Sequence, residues 1–550
     1  MADRGRPRFA ALLALGLACA ALLGCGRPDT DSTEPGSVAE PPPAQDTLRR
    51  GNGREPDSLD PQRARTDASM NILRDVFEGL TGVGPSGEPV PAAAESWTVA
   101  EDGRRYTFRL REGLRWSNGD PLVAADFVAG LRRLVDPATA SPYAQALEPL
   151  VNASAVTRGE KAPEELGAAA PDSRTVVLSL EHPAPYVLGL LSHPSSFPVH
   201  ASALEAAAGD AARPGQIISN GAFVLEEWVV GSHVAARRNR HYWNDAATRL
   251  ERVHYLQVDD AATEFRQYRA GQLDVTYVVP PQQFRWIREN LGPQLHVSPQ
   301  LSVYYYGFNL TRPPFRDSPD LRRALSLVID RERLTSAVTG VGETAAYGWV
   351  PPGTADYTPQ RFDYADWPYA ERVAAARELY RRAGYSEQRP LEVEIRYNTG
   401  EVHNRLAVAV AAMWKETLGV QATLHAEEFR ALLQSIQARS ETQVFRSSWI
   451  GDYNDAYSFA QLLQSDFGIN LTGYSNPRYD GLLAEARTEP DPGRRRSILE
   501  QAEATMLADH PVLPLYFYVN KHLVKPYLRG WSDNVMNVQY SKDLWFEQAN

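Results

Sequence analysis

Cysteine is almost missing from this chain. Two occur in 550 residues, Cys19 and Cys25. They are too few and too near the start to give the folded part a disulfide framework, a thiolate zinc site or an iron–sulfur cluster. Catalytic signatures are missing as well. There is no His-Glu-x-x-His, no Gly-x-Ser-x-Gly elbow and no Gly-x-x-x-x-Gly-Lys-Ser/Thr phosphate loop. Carboxylates are plentiful, and an acid/base pair needs no motif, so an anchored hydrolase stays as a rival reading without a positive argument. Basic charge is also short: the formal net charge is -11, which argues against nucleic acid and against polybasic adhesion to anionic lipid. The longest apolar run, Phe9 to Leu23, is too short to span a bilayer comfortably. It follows Arg4, Arg6 and Arg8, the n-region and h-region of an export signal.

The run ends at Leu22-Leu23-Gly24-Cys25, which resembles the lipobox of bacterial lipoproteins. The resemblance implies cleavage after residue 24 and a diacylglycerol thioether on Cys25, which would hold the chain on a lipid bilayer without a transmembrane helix. An ordinary secretory signal cut after Ala21 is the alternative. Residues 25–46 are rich in Asp, Thr, Ser, Glu, Gly, Ala and Pro and end near Pro41-Pro42-Pro43. Such a stretch buries too little apolar surface to fold and reads as a tether.

The body from Thr47 onward is too long for one ordinary core, so two or three domains are expected. Tyr106, Phe108 and Leu110 alternate with polar residues as a half-buried strand, and Phe127, Leu131 and Leu134 recur at helical spacing. Ser318-Pro319-Asp320 is a helix start. The clearest unit is βαβ. Leu391, Val393, Ile395 and Tyr397 form a strand, Asn404 to Leu418 a helix stopped by Gly419, and Val420, Ala422 and Leu424 the next strand. Asn398 to His403 then falls beyond the carboxyl end of the first strand, where open α/β sheets bind ligands. Val444 to Trp449 reads as another strand, followed by the polar loop Ile450-Gly451-Asp452-Tyr453-Asn454-Asp455. Tyr304-Tyr305-Tyr306, Tyr242-Trp243 and Tyr516-Phe517-Tyr518 are core or interface packing taken singly; together they could wall a cleft.

An ordered set of segments resembles the bacterial extracellular solute-binding proteins of family 5, the peptide/nickel-binding type, and most of all the oligopeptide-binding members. The set opens with Glu55-Pro56-Asp57-Ser58-Leu59-Asp60-Pro61 and Phe77-Glu78-Gly79-Leu80. It continues through residues 110–121 (LREGLRWSNGDP), 136–143 (DPATASPY), Asn220-Gly221-Ala222-Phe223 and Asn239-Arg240-His241-Tyr242-Trp243. It closes with Tyr518-Val519-Asn520 and Val524-Lys525-Pro526. Each piece is weak alone; their order is specific. The resemblance implies an α/β fold, a two-lobed hinged periplasmic-binding-protein architecture of the large, type II-like kind with an extra domain. Lobe I would comprise 47–77, 204–305 and 520–550, the extra domain 78–203 and lobe II 306–519. It implies a monomer in the periplasm or on the cell surface, without a cofactor, that closes over a short peptide with a free amino terminus and delivers it to the permease of an ABC transporter. Murein peptide, signalling peptide, dipeptide, haem and nickel chelate remain alternative ligands.

Residue by residue, the resemblance assigns Asp452 to the peptide's α-amino group; the local alternative is an Asx-turn cap. Trp449 would wall a side-chain pocket, or be plain core. Arg446 would be a cleft cation near the ligand backbone or carboxylate, or a partner for Asp452. His403 matches a histidine that meets the carboxylate of longer peptides, or is helix-start polarity. Tyr143 and Tyr305 match cleft tyrosines, and Phe429 falls where a pocket tryptophan is usual. Two positions depart from the pattern: Arg65 and Gly307 fall where relatives carry glutamates. Thr339 stands near an expected lysine and the Ile436 region near an expected arginine. The pocket charge is therefore expected to disfavour basic side chains.

Overall fold

The computed structural model describes residues 46–201, 217–465 and 467–547. Cys25 and the expected tether lie outside them. Two strands organise the rest. Leu295–Phe308 and Val512–Leu523 are the longest in the chain and pair antiparallel, from Leu295↔Leu523 to Gly307↔Val512, with a register shift between Pro299 and Val303. At one end Leu523 packs with Phe265, Tyr268 and Phe284. At the other, Leu301 to Phe308 and Val512 to Phe517 enter a large core. The pair therefore crosses from one half of the molecule to the other.

The first half is built from separated pieces of chain. Thr47–Gly51 pairs parallel with Arg252–Leu256, which continues antiparallel to His233–Arg238 and Phe223–Val229. A second, wholly antiparallel sheet runs Ala94–Val99, Arg105–Leu110, Thr175–Ser179, Ala168–Asp172. Alternation in Arg105–Leu110 buries Tyr106, Phe108 and Leu110. These pack on Phe127, Leu131 and Leu134 of the helix Ala124–Val135, in one cluster that also takes Leu48, Val253, Val524 and Leu544.

The second half is a six-stranded mixed sheet in the order Thr344–Ala345, Val512–Leu523, Leu295–Phe308, Val444–Ile450, Glu392–Asn398, Gln421–Glu427. The βαβ unit lies at its edge. Glu392–Asn398 and Gln421–Glu427 are parallel, joined by the helix Glu401–Leu418, which Gly419 ends at φ 76. Leu406, Val410, Met413 and Trp414 of that helix are buried. Each large apolar side chain so enclosed contributes about 1.5–3 kcal/mol. Pro319–Leu327 begins as its sequence says, with Ser318 Oγ accepting from the Leu321 N–H at 3.4 Å. None of the described helices is long and apolar enough to cross a membrane.

Candidate functional site

Side chains directly opposite across paired strands share a face of the sheet. Tyr306↔Arg446 and Tyr304↔Ser448 are such pairs, and Tyr305↔Ser447 lies on the other face. The first face gathers a polar, aromatic group around one cation. The Arg446 guanidinium stands 4.7 Å over the Tyr304 ring. It donates to Asn398 Oδ1 at 3.1 Å, Ser448 Oγ at 3.2 Å and the Tyr518 hydroxyl at 3.3 Å. Only 9% of the residue is exposed. No carboxylate among the described residues pairs with it, so the alternative that Arg446 neutralises Asp452 does not hold. A buried charge facing only neutral groups is expensive unless an anion joins it.

His403 belongs to the same group. It lies in the first turn of Glu401–Leu418, a helix that starts three residues earlier than its pattern suggests. Its Nδ1 is 3.1 Å from the Tyr304 hydroxyl, and the two rings are 5.7 Å apart. Burial, helped by the charge of Arg446, pushes its pKa down to about 4, so the ring is neutral at pH 7.

Asp452 lies just beyond the carboxyl end of Val444–Ile450. Its carboxylate has neither a hydrogen bond nor an ion pair among the described residues, and the Asx-turn role belongs to Asp455, whose Oδ1 accepts from the Tyr457 N–H at 2.8 Å. The side chain is open to solvent yet ringed by protein, the situation of a group on a cleft wall. Loss of surrounding water pushes its pKa up to about 6. The loop that carries it is held from several sides. The fully buried Ser458 accepts at Oγ from Trp449 Nε1 at 3.4 Å and from the Asp452 N–H at 3.3 Å. The Gly451 N–H donates to Leu301 O at 2.8 Å. Asp455 takes two bonds from Arg495, at 2.7 and 3.0 Å.

From the first half, Tyr143 comes near enough to this loop to feel the charge of Asp452. Its hydroxyl donates to Arg65 O at 3.4 Å, its ring is 4.5 Å from that of His193, and burial together with the charges of Asp67 and Asp452 raises its pKa. Arg65 is exposed, in a loop ordered by Asp57, which accepts from the Arg65 and Thr66 N–H groups and from the Thr66 and Ser69 hydroxyls. Tyr143, Arg65 and Asp452 are thus brought into one neighbourhood. Phe429 opens the helix Phe429–Ala438 and is half exposed, as is Ile450 beside Asp452. Trp449 is partly buried against the second core.

Two expected residues are placed elsewhere. Tyr305 is 6% exposed and meets Trp349 edge-on at 4.8 Å, on the sheet face away from Arg446. A Cβ on Gly307 would lie 2.3 Å from the Phe445 ring, so this glycine is set by packing and does not wall the cleft. Conversely, Tyr304, Tyr518 and Ser458 lie around these groups. The sequence offers the two tyrosines only as members of aromatic clusters, and strand pairing is what puts Tyr304 on the face of Arg446. Among the described residues no group of His, Cys, Asp and Glu is arranged to hold a metal.

Two cores with a strand pair crossing between them are the architecture of a two-lobed binding protein. The chain belongs to the bacterial extracellular solute-binding proteins, family 5, whose middle region matches residues 88–470, a family of binding proteins and not of enzymes. Among curated Escherichia coli proteins it is 38% identical to the probable deoxycholate-binding periplasmic protein YgiS over 92% of this chain and 94% of that one. It is 37% identical to the periplasmic murein peptide-binding protein MppA over 89% and 91%, and 35% identical to the periplasmic oligopeptide-binding protein OppA over 91% and 92%. Against the unliganded open form of MppA the TM-score is 0.84 at 36% identity, covering 92% of this chain and 98% of that one. A second structure of Escherichia coli MppA, also 36% identical and covering 91% and 98%, gives 0.75. With sequence identity equal, the higher TM-score is against the unliganded open form.

Proposed function

We propose that the chain is the extracytoplasmic receptor of a peptide uptake system. It captures short peptides with a free amino terminus between its lobes and passes them to an ABC permease. The observation that carries this reading is Asp452: a carboxylate crowded by protein and without a partner among the described residues, at the mouth of a strand, is made to receive a cation. Arg446, a buried cation without an anion, supports the complement. They are six positions apart along the chain, at most about 20 Å if fully extended, which suits a peptide of a few residues. The lobes are 47–77, 204–305 and 520–550 against 306–519, with 78–203 as the extra domain, and Cys25 is the lipidated anchor.

A murein peptide or a longer oligopeptide would use the same two ends, in keeping with the names of the relatives. A carboxylated steroid such as deoxycholate would employ Arg446 but leave Asp452 unanswered, so the peptide reading is preferred. Calorimetry with trialanine, N-acetyl-trialanine and deoxycholate decides. Tight binding of trialanine alone is the expected result, with a smaller radius of gyration and a higher melting temperature at saturation. Deoxycholate binding with no peptide binding would overturn the proposal.

A further inference from the structure

The halves touch at a second place, beside the crossing strands. Tyr186 comes from the first half, after Pro183-Ala184-Pro185 and before the short helix Val187–Leu190. Its ring stacks on Tyr453, with centroids 4.6 Å apart and planes 13° from parallel. It also lies 6.0 Å from Tyr457, within 5° of parallel. Tyr453 and Tyr457 are almost fully buried, and Tyr186 packs against both main cores. A Cβ on Gly189 would sit 3.4 Å from the Tyr453 Cβ, so the helix lies close against this tyrosine. Next in sequence, the Asn454 amide donates to Gly87 O of the first half at 3.4 Å and accepts the Ala355 N–H of the second at 2.8 Å.

Tyr453 is the neighbour of Asp452. The loop that offers the carboxylate is therefore clamped by an aromatic stack whose other member comes from the first half, in the extra domain proposed for 78–203. The stack is made in an arrangement whose TM-score is highest, of the two MppA structures compared, against the unliganded open form. We infer that Tyr186 is a positioning residue for ligand recognition: through Tyr453 it holds Asp452 in place and serves as a second pivot for lobe closure. Two fixed connections, the strand crossing at Pro299–Val303 and the Tyr186–Tyr453 stack, define an axis, and groups beside an axis move little. Asp452, Tyr143 and Arg65 then form an amino-terminal pocket that is ready in the open state. Arg446 and His403, farther along the strand and the neighbouring helix, make the larger excursion. The peptide's amino end docks first, and closure follows over the rest. A cavity of about 200 Å³ beside the stack, lined by Val83, Pro185, Leu499 and Met536 among others, leaves the pivot room to tilt.

This inference rests on the peptide-receptor reading. The test uses the full chain with Tyr186→Phe, Tyr186→Leu and Tyr186→Ala, titrated with trialanine and, by competition, with N-acetyl-trialanine. Phenylalanine keeps the stack and should stay within twofold of wild type. Leucine and alanine should lose at least tenfold in affinity for trialanine while the acetylated peptide changes less than twofold, so that discrimination collapses. Loss of overall stability alone would lower both affinities together, and that outcome overturns the proposal, as does wild-type discrimination in both variants. Should alanine prevent folding, leucine carries the test. If wild type itself fails to distinguish the two peptides, the receptor reading falls and this inference with it; discrimination in wild type that survives Tyr186→Ala defeats only the inference.

Discussion

Arg446 lies with its guanidinium 4.7 Å over the ring of Tyr304 and donates only to neutral oxygens. A ligand carboxylate would complete it. Hydrogen bonds to charged groups contribute about 1.5–3 kcal/mol, so Arg446→Met should weaken a tripeptide with a free carboxyl end on the order of ten- to a hundredfold. The amidated tripeptide should be nearly unaffected. Equal losses for both forms in calorimetry would detach Arg446 from the carboxylate.

Asp452→Ala should cost about 3–5 kcal/mol of binding, since it strands the ligand's ammonium in the closed cleft, a hundredfold or more. Acetylating the peptide removes the same contact from the other side. The two losses should therefore not add. A double-mutant cycle with additive effects would place the amino terminus elsewhere.

The unliganded Asp452 carboxyl is pushed up to about 6 by loss of water, while a peptide α-amino group stays protonated up to about pH 8. Binding needs the ionised carboxylate, so affinity should fall as pH drops below 6, by up to about tenfold per unit. Complex formation near pH 6 should release a proton, visible as a buffer-dependent heat. Stability runs the opposite way. A carboxyl raised above its unfolded value binds its proton more tightly when folded, so its contribution is present at low pH and lost as pH rises through 6. Asp452→Asn should flatten both dependences.

Arg65 is exposed beside Tyr143 and the amino-terminal pocket, whereas Gly307 is covered by Phe445. Discrimination against basic side chains would therefore rest on Arg65. Tripeptides differing only at the central residue should bind in the order glutamate, alanine, lysine, and Arg65→Glu should reverse it. Lysine binding as tightly as alanine to the wild type would remove Arg65 from selection.

Cys25→Ser should move the protein from the membrane fraction to the soluble one, and mass spectrometry of the wild-type amino terminus should find acylated Cys25. An unacylated amino terminus would refute the anchor.

Elements with a local signature are legible in the sequence. The cap Ser318, the stop at Gly419 and the alternation in residues 105–110 each depend on neighbours within a few positions, and each falls where its chemistry places it. The start of the helix at Glu401 is harder to read: Val402, four residues before Leu406, continues the apolar stripe and packs against the second core, but a single apolar residue followed by the polar His403 and Asn404 is easily taken for loop. The site is legible only in part. The family pattern offers Asp452, Arg446 and His403 as candidates, but not that Arg446 lacks a carboxylate, because that depends on Asn398 and Tyr518, 48 and 72 residues away. The family pattern points to Tyr305 and not to Tyr304. Neighbours on a strand face opposite ways, and only the pairing of Tyr306 with Arg446 decides which face matters. Tyr186 carries no signal, since its partner is remote in sequence.

The first lobe's core takes Leu48 from near the start of the described chain and Val524, Leu528 and Leu544 from near its end, and the Ser541 N–H donates to the buried Asp75 at 2.8 Å. The second core draws almost wholly on the stretch between Leu301 and Phe517. A chain emerging from a ribosome or a membrane pore, amino end foremost, can thus finish its second lobe while the first still waits for residues beyond 520. During that interval the amino-terminal lobe is the one with unmatched apolar surface, and a chaperone that shepherds this chain would find its binding sites there.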